Sequence, residues 1–495
     1  MRCFLLSLVV SSATIASSDA LLGTCSAAQG RSQAVRGGWV KACTGERQSS
    51  ANNRRVWMMS GGGGGEVAVE GEKSTMSQSI ANLAKNIMGA GMFSLPAGVA
   101  AFSDAKSAIV PASALIAILG LLSGYTFSLL GRSCGETGAE SYEQAWSKSV
   151  SDKTAWVPAT ACVCTCFAGC LAYTLIIGDS VTALLQGFGL PQPWSSRTNV
   201  IAGASAFVLL PLSLLKSLKG LGFTSLLGSS GLLYTAAVMA VRYFDGSYSP
   251  GGRFYDTLDA SFAPVFGTKA ANPVLFLVLI SMLGTAYEAH FNAPLFHKEL
   301  ENNTNKRYNI MVGSSFAISI ATMIAVTAFG FLTFGGNSSG LILNNYAASD
   351  GFAAAARVVV ALSIMFSYPL CFVGLRDGIL ELRGITKPSD TMRTSWTVGL
   401  VGFVSLLSVF LTDLGFVNSF GGTLIANCII YIFPATMFLT PVRRAVKKGA
   451  LNLAEKGLLK MEFLGAKAIV ALGVVMAILG AIISVLESFF PNVLG

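Results

Sequence analysis

The sequence predicts an all-α polytopic membrane protein of eleven spans, made of two five-helix repeats in opposite orientations plus one C-terminal helix. Three observations predict it. The chain is 53% hydrophobic and only 12% charged over 495 residues, where a soluble domain carries about 25% charged residues. Eleven apolar segments, near 80–102, 108–131, 157–187, 198–215, 221–241, 272–296, 309–334, 353–375, 395–412, 418–440 and 466–490, are each long enough for a hydrocarbon core of about 30 Å. Segments 1 and 6 are interrupted alike, by Gly89, Gly91 and Pro96 in one and by Gly284 and Pro294 in the other. Five is odd, so segments 1–5 and 6–10 lie in opposite orientations. Interrupted helices at matching places of two inverted halves point to a binding site at the membrane midplane.

Residues 1–73 stand apart from the spans. Arg2 precedes a short apolar run, Phe4 to Val10, and then small residues, as in a secretory leader. Between 21 and 60, six basic residues (Arg31, Arg36, Lys41, Arg47, Arg54, Arg55) accompany one acid, Glu46, and Gly61 to Gly65 follow as a flexible spacer. A leader plus a basic, acid-poor stretch resembles the bipartite presequence of algae whose plastids came from a second endosymbiosis. A disordered cytoplasmic tail and a secretory signal with endomembrane retention are the alternatives. The rest divides into 74–243 (first repeat), 244–440 (outer loop and second repeat) and 441–495 (basic inner loop and eleventh helix). The organelle, plastid envelope or endomembrane and vacuole, stays open.

The net charge of +9 does not mark a nucleic-acid partner, because the basic residues lie in short loops between apolar segments. With the N-terminus inside, the inner loops carry nineteen Lys and Arg against six outside. The positive-inside rule therefore predicts N inside and C outside. The cluster Arg443 to Lys448 then meets lipid headgroups. This orientation leaves Asn337-Ser338-Ser339, not Asn302-Asn303-Thr304, as the accessible glycosylation sequon. Cys162, Cys164, Cys166 and Cys170 look superficially like metal ligands. They fall in an apolar run with 162, 166 and 170 on one helical stripe, which favours small packing residues between helices.

Six stretches occur in order along residues 78 to 440: NLAKNIMGAGMFSLP (82–96), AYTLIIGDSV (172–181), PLSLLKSLKGLGFTSLLG (211–228), TAYEAHFNAPLFHKEL (285–300), GFLTFGG (330–336) and FSYPLCFVGLR (366–376). Together they resemble the amino acid/auxin permease family, nearest the branch of sodium-coupled neutral amino acid transporters and plant vacuolar amino acid transporters. The resemblance implies a LeuT-like inverted-repeat fold with one extra helix. It also implies carriage of amino acids, neutral ones foremost, coupled to protons or sodium.

The substrate carboxylate is expected at the unwound backbone of Gly89, Ala90, Gly91 and Met92, since amides at a helix break form an anion site and glycine admits close approach. Glycine for tight helix packing is the competing reading. Segment 6 would supply carbonyls for the amine near Met282 to Ala286, including Gly284, while Tyr287 either walls the pocket or simply packs. Glu288 is the sharpest residue. A carboxylate at membrane depth costs roughly 2.5–3.5 kcal/mol and usually marks an ion or proton path. Tyr287-Glu288-Ala289 also resembles the Phe-Glu-Gly of proton-coupled members; a structural hydrogen bond is the alternative. His290 fits the family's segment 6 histidine, either as a proton group or as a neutral tie between helices. His297 has no functional case.

Lys85 departs from the relatives, whose sodium-coupled members carry an asparagine here that contributes to the sodium site. A fixed ammonium could stand in for the cation, Asn86 could restore the ligand by a one-residue shift, or Lys85 could snorkel to the inner surface. Ser367, two residues before Pro369, is the matching hydroxyl of segment 8. Together Lys85 and Glu288 tilt the reading to protons. Asp179 and Asp413 read as interfacial. With no nucleophile elbow, Walker loop or metal set, and only two histidines, neither an enzyme nor a cofactor is expected. An amino acid sensor on the same fold is the competitor from another class.

Overall fold

The computed structural model describes residues 73–215, 223–268, 271–385, 388–449, 451 and 457–489. Residues 1–72 of the expected presequence, together with Lys216, Lys219, Lys269, Lys387 and Lys456 among the loop charges, lie outside the described residues.

Nine helices among the described residues are long and apolar enough to cross a membrane. They are Lys106–Thr137, Asp152–Gly187, Arg197–Leu214, Pro273–Glu299, Asn305–Phe334, Gly351–Leu382, Asp390–Phe410, Cys428–Lys447 and Gly457–Ile483, which correspond to segments 2, 3, 4 and 6 to 11. Segment 1 is two short helices, Met76–Ile87 and Leu95–Phe102, and segment 5 is the helix Phe223–Phe244. Polar side chains set the starts. Thr75 and Gln78 form a reciprocal capping box before segment 1. Thr304, Asp350 and Ser389 accept from the first free N–H groups of segments 7, 8 and 9.

Segment 1 packs on 6, segment 2 on 7, segment 3 on 8 and segment 4 on 9. Four helices of the first half thus meet their counterparts in the second, as fits two inverted repeats, while segment 5 packs on segments 7 and 8. Burial follows. In the most apolar window of segment 3, 78% of residues are buried inside the protein, against 22% in segment 9. Segments 3, 6, 8 and 10 therefore form the core. Segments such as 9 turn Phe403, Leu406 and Phe410 outward, toward lipid.

The cysteine run packs as a helical stripe. Cys162, Cys166 and Cys170 are buried, and the Cys371 thiol of segment 8 donates to the Cys166 carbonyl at 3.3 Å. Two charges read as loop residues sit elsewhere. Arg357 and Arg376 lie inside the segment 8 helix and are 2% and 0% exposed. Arg357 donates to the carbonyls of Leu343 and Tyr346, and Arg376 pairs with Asp377 at 2.7 Å. Asp179 pairs with Arg197 at 2.6 Å, and Asp413 caps the first helix of segment 10.

At the end of segment 5, Arg242 grips Asp350 with both nitrogens, Nη2 to Oδ1 at 2.6 Å and Nε to Oδ2 at 2.8 Å. Asp350 is 0% exposed and also accepts from Tyr248 at 2.9 Å. Arg242→Met strands that carboxylate and is expected to cost about 3–5 kcal/mol, read as a lower thermal unfolding midpoint in detergent. Burial pushes the Asp350 carboxyl up, but Arg242 and Tyr248 outweigh it and hold the group below the ordinary carboxylate range. Its contribution to stability is thus present above the unfolded value of about 3.9 and lost as pH falls through the lower folded value.

Candidate functional site

The segment 1 helix stops at Ile87. Met88 and Gly89 leave helical geometry (φ −76°, ψ 64° and φ −88°, ψ −168°). The chain resumes as a 3-10 turn, Ala90–Ser94, and then the helix Leu95–Phe102. Pro96 sits in the first turn of that second half, where its missing N–H has no helical acceptor to lose. Segment 6 repeats the plan: a helix Phe276–Ala286, an irregular stretch 287–289, a 3-10 turn His290–Asn292, and Ala293–Glu299 with Pro294 at its start. The two breaks touch. A Cβ on Gly91 would lie 3.2 Å from the Ala286 Cα, so this glycine permits the close approach as well as opening the backbone.

A cavity of about 60 Å³ lies at the breaks. Its polar wall holds Asn86, Gly89 and Gly91 of segment 1 with Thr285 and Glu288 of segment 6. The rest of the lining is Thr165, Ala168, Gly169, Ala172 and Tyr173 of segment 3, with Val417, Asn418, Gly421 and Ile425 of segment 10. Glu288 is partly exposed to this space, and one carboxylate oxygen accepts from the Thr165 hydroxyl at 2.8 Å. Three hydrogen bonds link the breaks through segment 10. Thr285 donates to the Asn418 carbonyl at 2.6 Å, the Asn418 amide to the Ser94 hydroxyl at 3.1 Å, and Ser94 to the Gly91 carbonyl at 2.8 Å.

Other expected site residues sit behind these walls. Gly284 is at a backbone crossing, where an added Cβ would be 2.7 Å from the Gly422 carbonyl oxygen. Met92 is in the core, and Ala90 opens the 3-10 turn. Tyr287 is 0% exposed, donates to the Ile116 carbonyl at 2.9 Å and stacks on Phe316. His290 is tied to segment 2. Its Nε2 lies 3.0 Å from both the Ser123 carbonyl oxygen and the Thr126 hydroxyl, which puts a proton on Nε2 toward the carbonyl. Lys85 is only 3% exposed, so its ammonium is not at a surface. It lies between segments 1, 5 and 8. The site of a Cβ on Gly228 would be 3.4 Å from Lys85 Nζ and 2.5 Å from Ser363 Oγ. Ser367 donates to the Ser363 carbonyl at 2.9 Å, one turn along the same helix.

A second, larger cavity of about 450 Å³ opens past the C-terminal half of segment 3. Its charged groups engage one another or the backbone: Asp179 with Arg197 and Asn344, Arg357 with carbonyls, and Asp259 with Ser261.

Residues 72–486 match the family described as Transmembrane amino acid transporter protein. The chain belongs to this family. Among curated relatives, "Putative sodium-coupled neutral amino acid transporter 11" of Rattus norvegicus is 24% identical, over 74% of this chain and 78% of its own. "Vacuolar amino acid transporter 5" of Schizosaccharomyces pombe is 24% identical, over 74% of this chain and 84% of its own. Among solved structures, the inward-facing conformation of Mhp1 superposes with a TM-score of 0.52 at 12% identity, covering 88% of this chain and 93% of that one. The fold is thus the LeuT-like one, and fold and relatives are those of transporters, not enzymes. Of the expected substrate residues, Gly89 and Gly91 line the cavity at the breaks; Ala90, Met92, Gly284 and Tyr287 do not.

Sequence reading missed Thr165 and Asn418, and took Thr285 only as one of the carbonyls between Met282 and Ala286. A signal for the first existed. Thr165, Ala168, Gly169 and Ala172 recur at helical i, i+3, i+4, i+7 spacing, a small-residue face hidden beside the more conspicuous cysteine stripe.

Proposed function

We propose that this amino acid transporter is a proton-coupled carrier of small neutral amino acids working by alternating access. Glu288 takes and releases the proton, and Lys85 occupies the place of a sodium ion. The observation that carries the reading is Glu288 itself, a carboxylate on the cavity wall between the two helix breaks, held by Thr165. A carboxylate there is costly when charged unless it serves an ion path, and protonation in one orientation with release in the other couples its charge to the substrate cycle. The amino acid's carboxylate and amine meet the broken backbones, and its side chain meets Ala168, Gly169, Ala172 and Gly421 of segments 3 and 10. In this reading residues 1–73 are a targeting presequence or tail, the N-terminus lies inside and the C-terminus outside.

The second reading is a sodium symporter. Asn86 on the cavity wall, the Ser367 hydroxyl, and the name of the rat relative favour it. Uptake by purified protein in liposomes separates the two, using labelled amino acids and an imposed pH gradient with and without sodium. Accumulation without sodium supports the proton reading, and accumulation only with sodium replaces it. Binding without flux under any gradient points to a sensor. Lys85→Asn is expected to make uptake sodium-dependent, shifting apparent affinity by about 5–150-fold between sodium and choline media. Unchanged ion dependence removes Lys85 from the coupling site.

A further inference from the structure

Four glycines around the smaller cavity owe their place to packing. A Cβ on Gly91 meets the Ala286 backbone at 3.2 Å, and one on Gly169 meets the Cys371 sulfur at 2.9 Å. On Gly284 and Gly422 it runs into the facing helix backbone, at 2.7 Å and 1.9 Å. Gly421 is different. Its backbone is right-handed helical (φ −62°, ψ −46°), which any residue adopts. The nearest neighbour of its added Cβ is the Ala168 methyl at 3.7 Å, an ordinary contact. A glycine inside a helix is destabilising relative to alanine, so neither backbone nor packing explains it here. What remains is the cavity, which Gly421 and Ala168 line side by side. Directly after Gly421, segment 10 widens into a π-helical stretch, Gly422–Ala426, a local form frequent at functional sites.

We propose that Gly421, beside Ala168, sets the upper size limit of the substrate side chain. The inference rests on the amino acid carrier reading above. The absent side chain leaves the volume next to the Ala168 methyl for the ligand, and each carbon added there removes it. Across the cavity the polar groups of segments 1 and 6 hold the part common to all amino acids, so a change at Gly421 discriminates by side chain and not by main chain.

The test is competitive uptake of glycine, alanine, valine, leucine and phenylalanine in liposomes by wild type, Gly421→Ala and Ala168→Gly. Gly421→Ala is expected to keep uptake of the smallest transported amino acid within about 3-fold. It should cut kcat/KM for the largest by roughly 10–200-fold, the range one methylene's worth of pocket commands. Ala168→Gly is expected to shift selectivity the other way. An equal loss for all sizes at normal expression, or unchanged selectivity in both variants, overturns the assignment of Gly421. Absence of uptake of any amino acid by wild type would instead strike the carrier reading. Should Gly421→Ala fail to fold, the size shift in Ala168→Gly alone decides the matter.

Discussion

Glu288→Gln is expected to abolish accumulation driven by a pH gradient while leaving exchange of labelled for unlabelled substrate partly intact. The amide has nearly the shape of the protonated acid and can still receive the Thr165 hydroxyl, whose oxygen now lies 2.8 Å from the carboxylate. Helix geometry and substrate contacts are therefore kept while proton exchange is lost. A coupling free energy of ordinary size corresponds to about 5–150-fold, and the accumulation ratio should fall by that factor toward equilibration. Exchange runs through one protonation state and needs no net proton movement, so it survives in part. Equal loss of both activities in a protein that expresses normally would mean that Glu288 only holds segment 6 to segment 3. Thr165→Val is the milder companion, since it removes one hydrogen bond to a charged acceptor, worth about 1.5–3 kcal/mol.

Gly422→Val is expected to yield no stable protein. Segments 6 and 10 cross there backbone to backbone. A Cβ on Gly422 would stand 1.9 Å from the Ser281 carbonyl oxygen and 2.7 Å from the Thr285 nitrogen, and one on Gly284 would stand 2.7 Å from the Gly422 carbonyl oxygen. Helices in lipid associate by close van der Waals approach, which small residues permit. Main-chain atoms cannot turn aside as a side-chain tip can. The cost therefore exceeds ordinary overpacking of about 1–3 kcal/mol and reaches the exceptional range beyond about 4–5 kcal/mol. The readout is the monodisperse fraction in detergent, with Gly421→Ala as the neighbouring control that should fold. A folded Gly422→Val variant with wild-type thermal stability would show that the helices do not cross this closely.

Nine of the spans and both helix breaks were legible because their causes are local. Apolar runs long enough for a bilayer, and glycine with proline at Gly89 to Pro96 and at Gly284 to Pro294, act within a few residues of themselves. Glu288 stood out for the same reason, being a carboxylate in an apolar span. Lys85 could be read three ways from the sequence, as a cation substitute, as displaced by Asn86, or as snorkelling. At 3% exposure it does not reach a surface, a fact that depends on where segments 5 and 8 lie.

The sequence by itself thus determined nine stretches long and apolar enough to cross a membrane, where segments 1 and 6 break, and that an acid sits at one break. Only the tertiary structure decided what those breaks face. Thr165 meets Glu288 across 123 residues, Thr126 meets His290 across 164, and Asn418 reaches Ser94 across 324. It also sorted the glycines, putting Gly284 against Gly422 in a backbone crossing and leaving Gly421 open to the cavity. The physical reason is that hydropathy and backbone preference are properties of a short stretch of chain. The rotation of each helix about its axis is set by its neighbours' side chains, and a turn of one residue, 100° on a helix, moves a group from cavity to core.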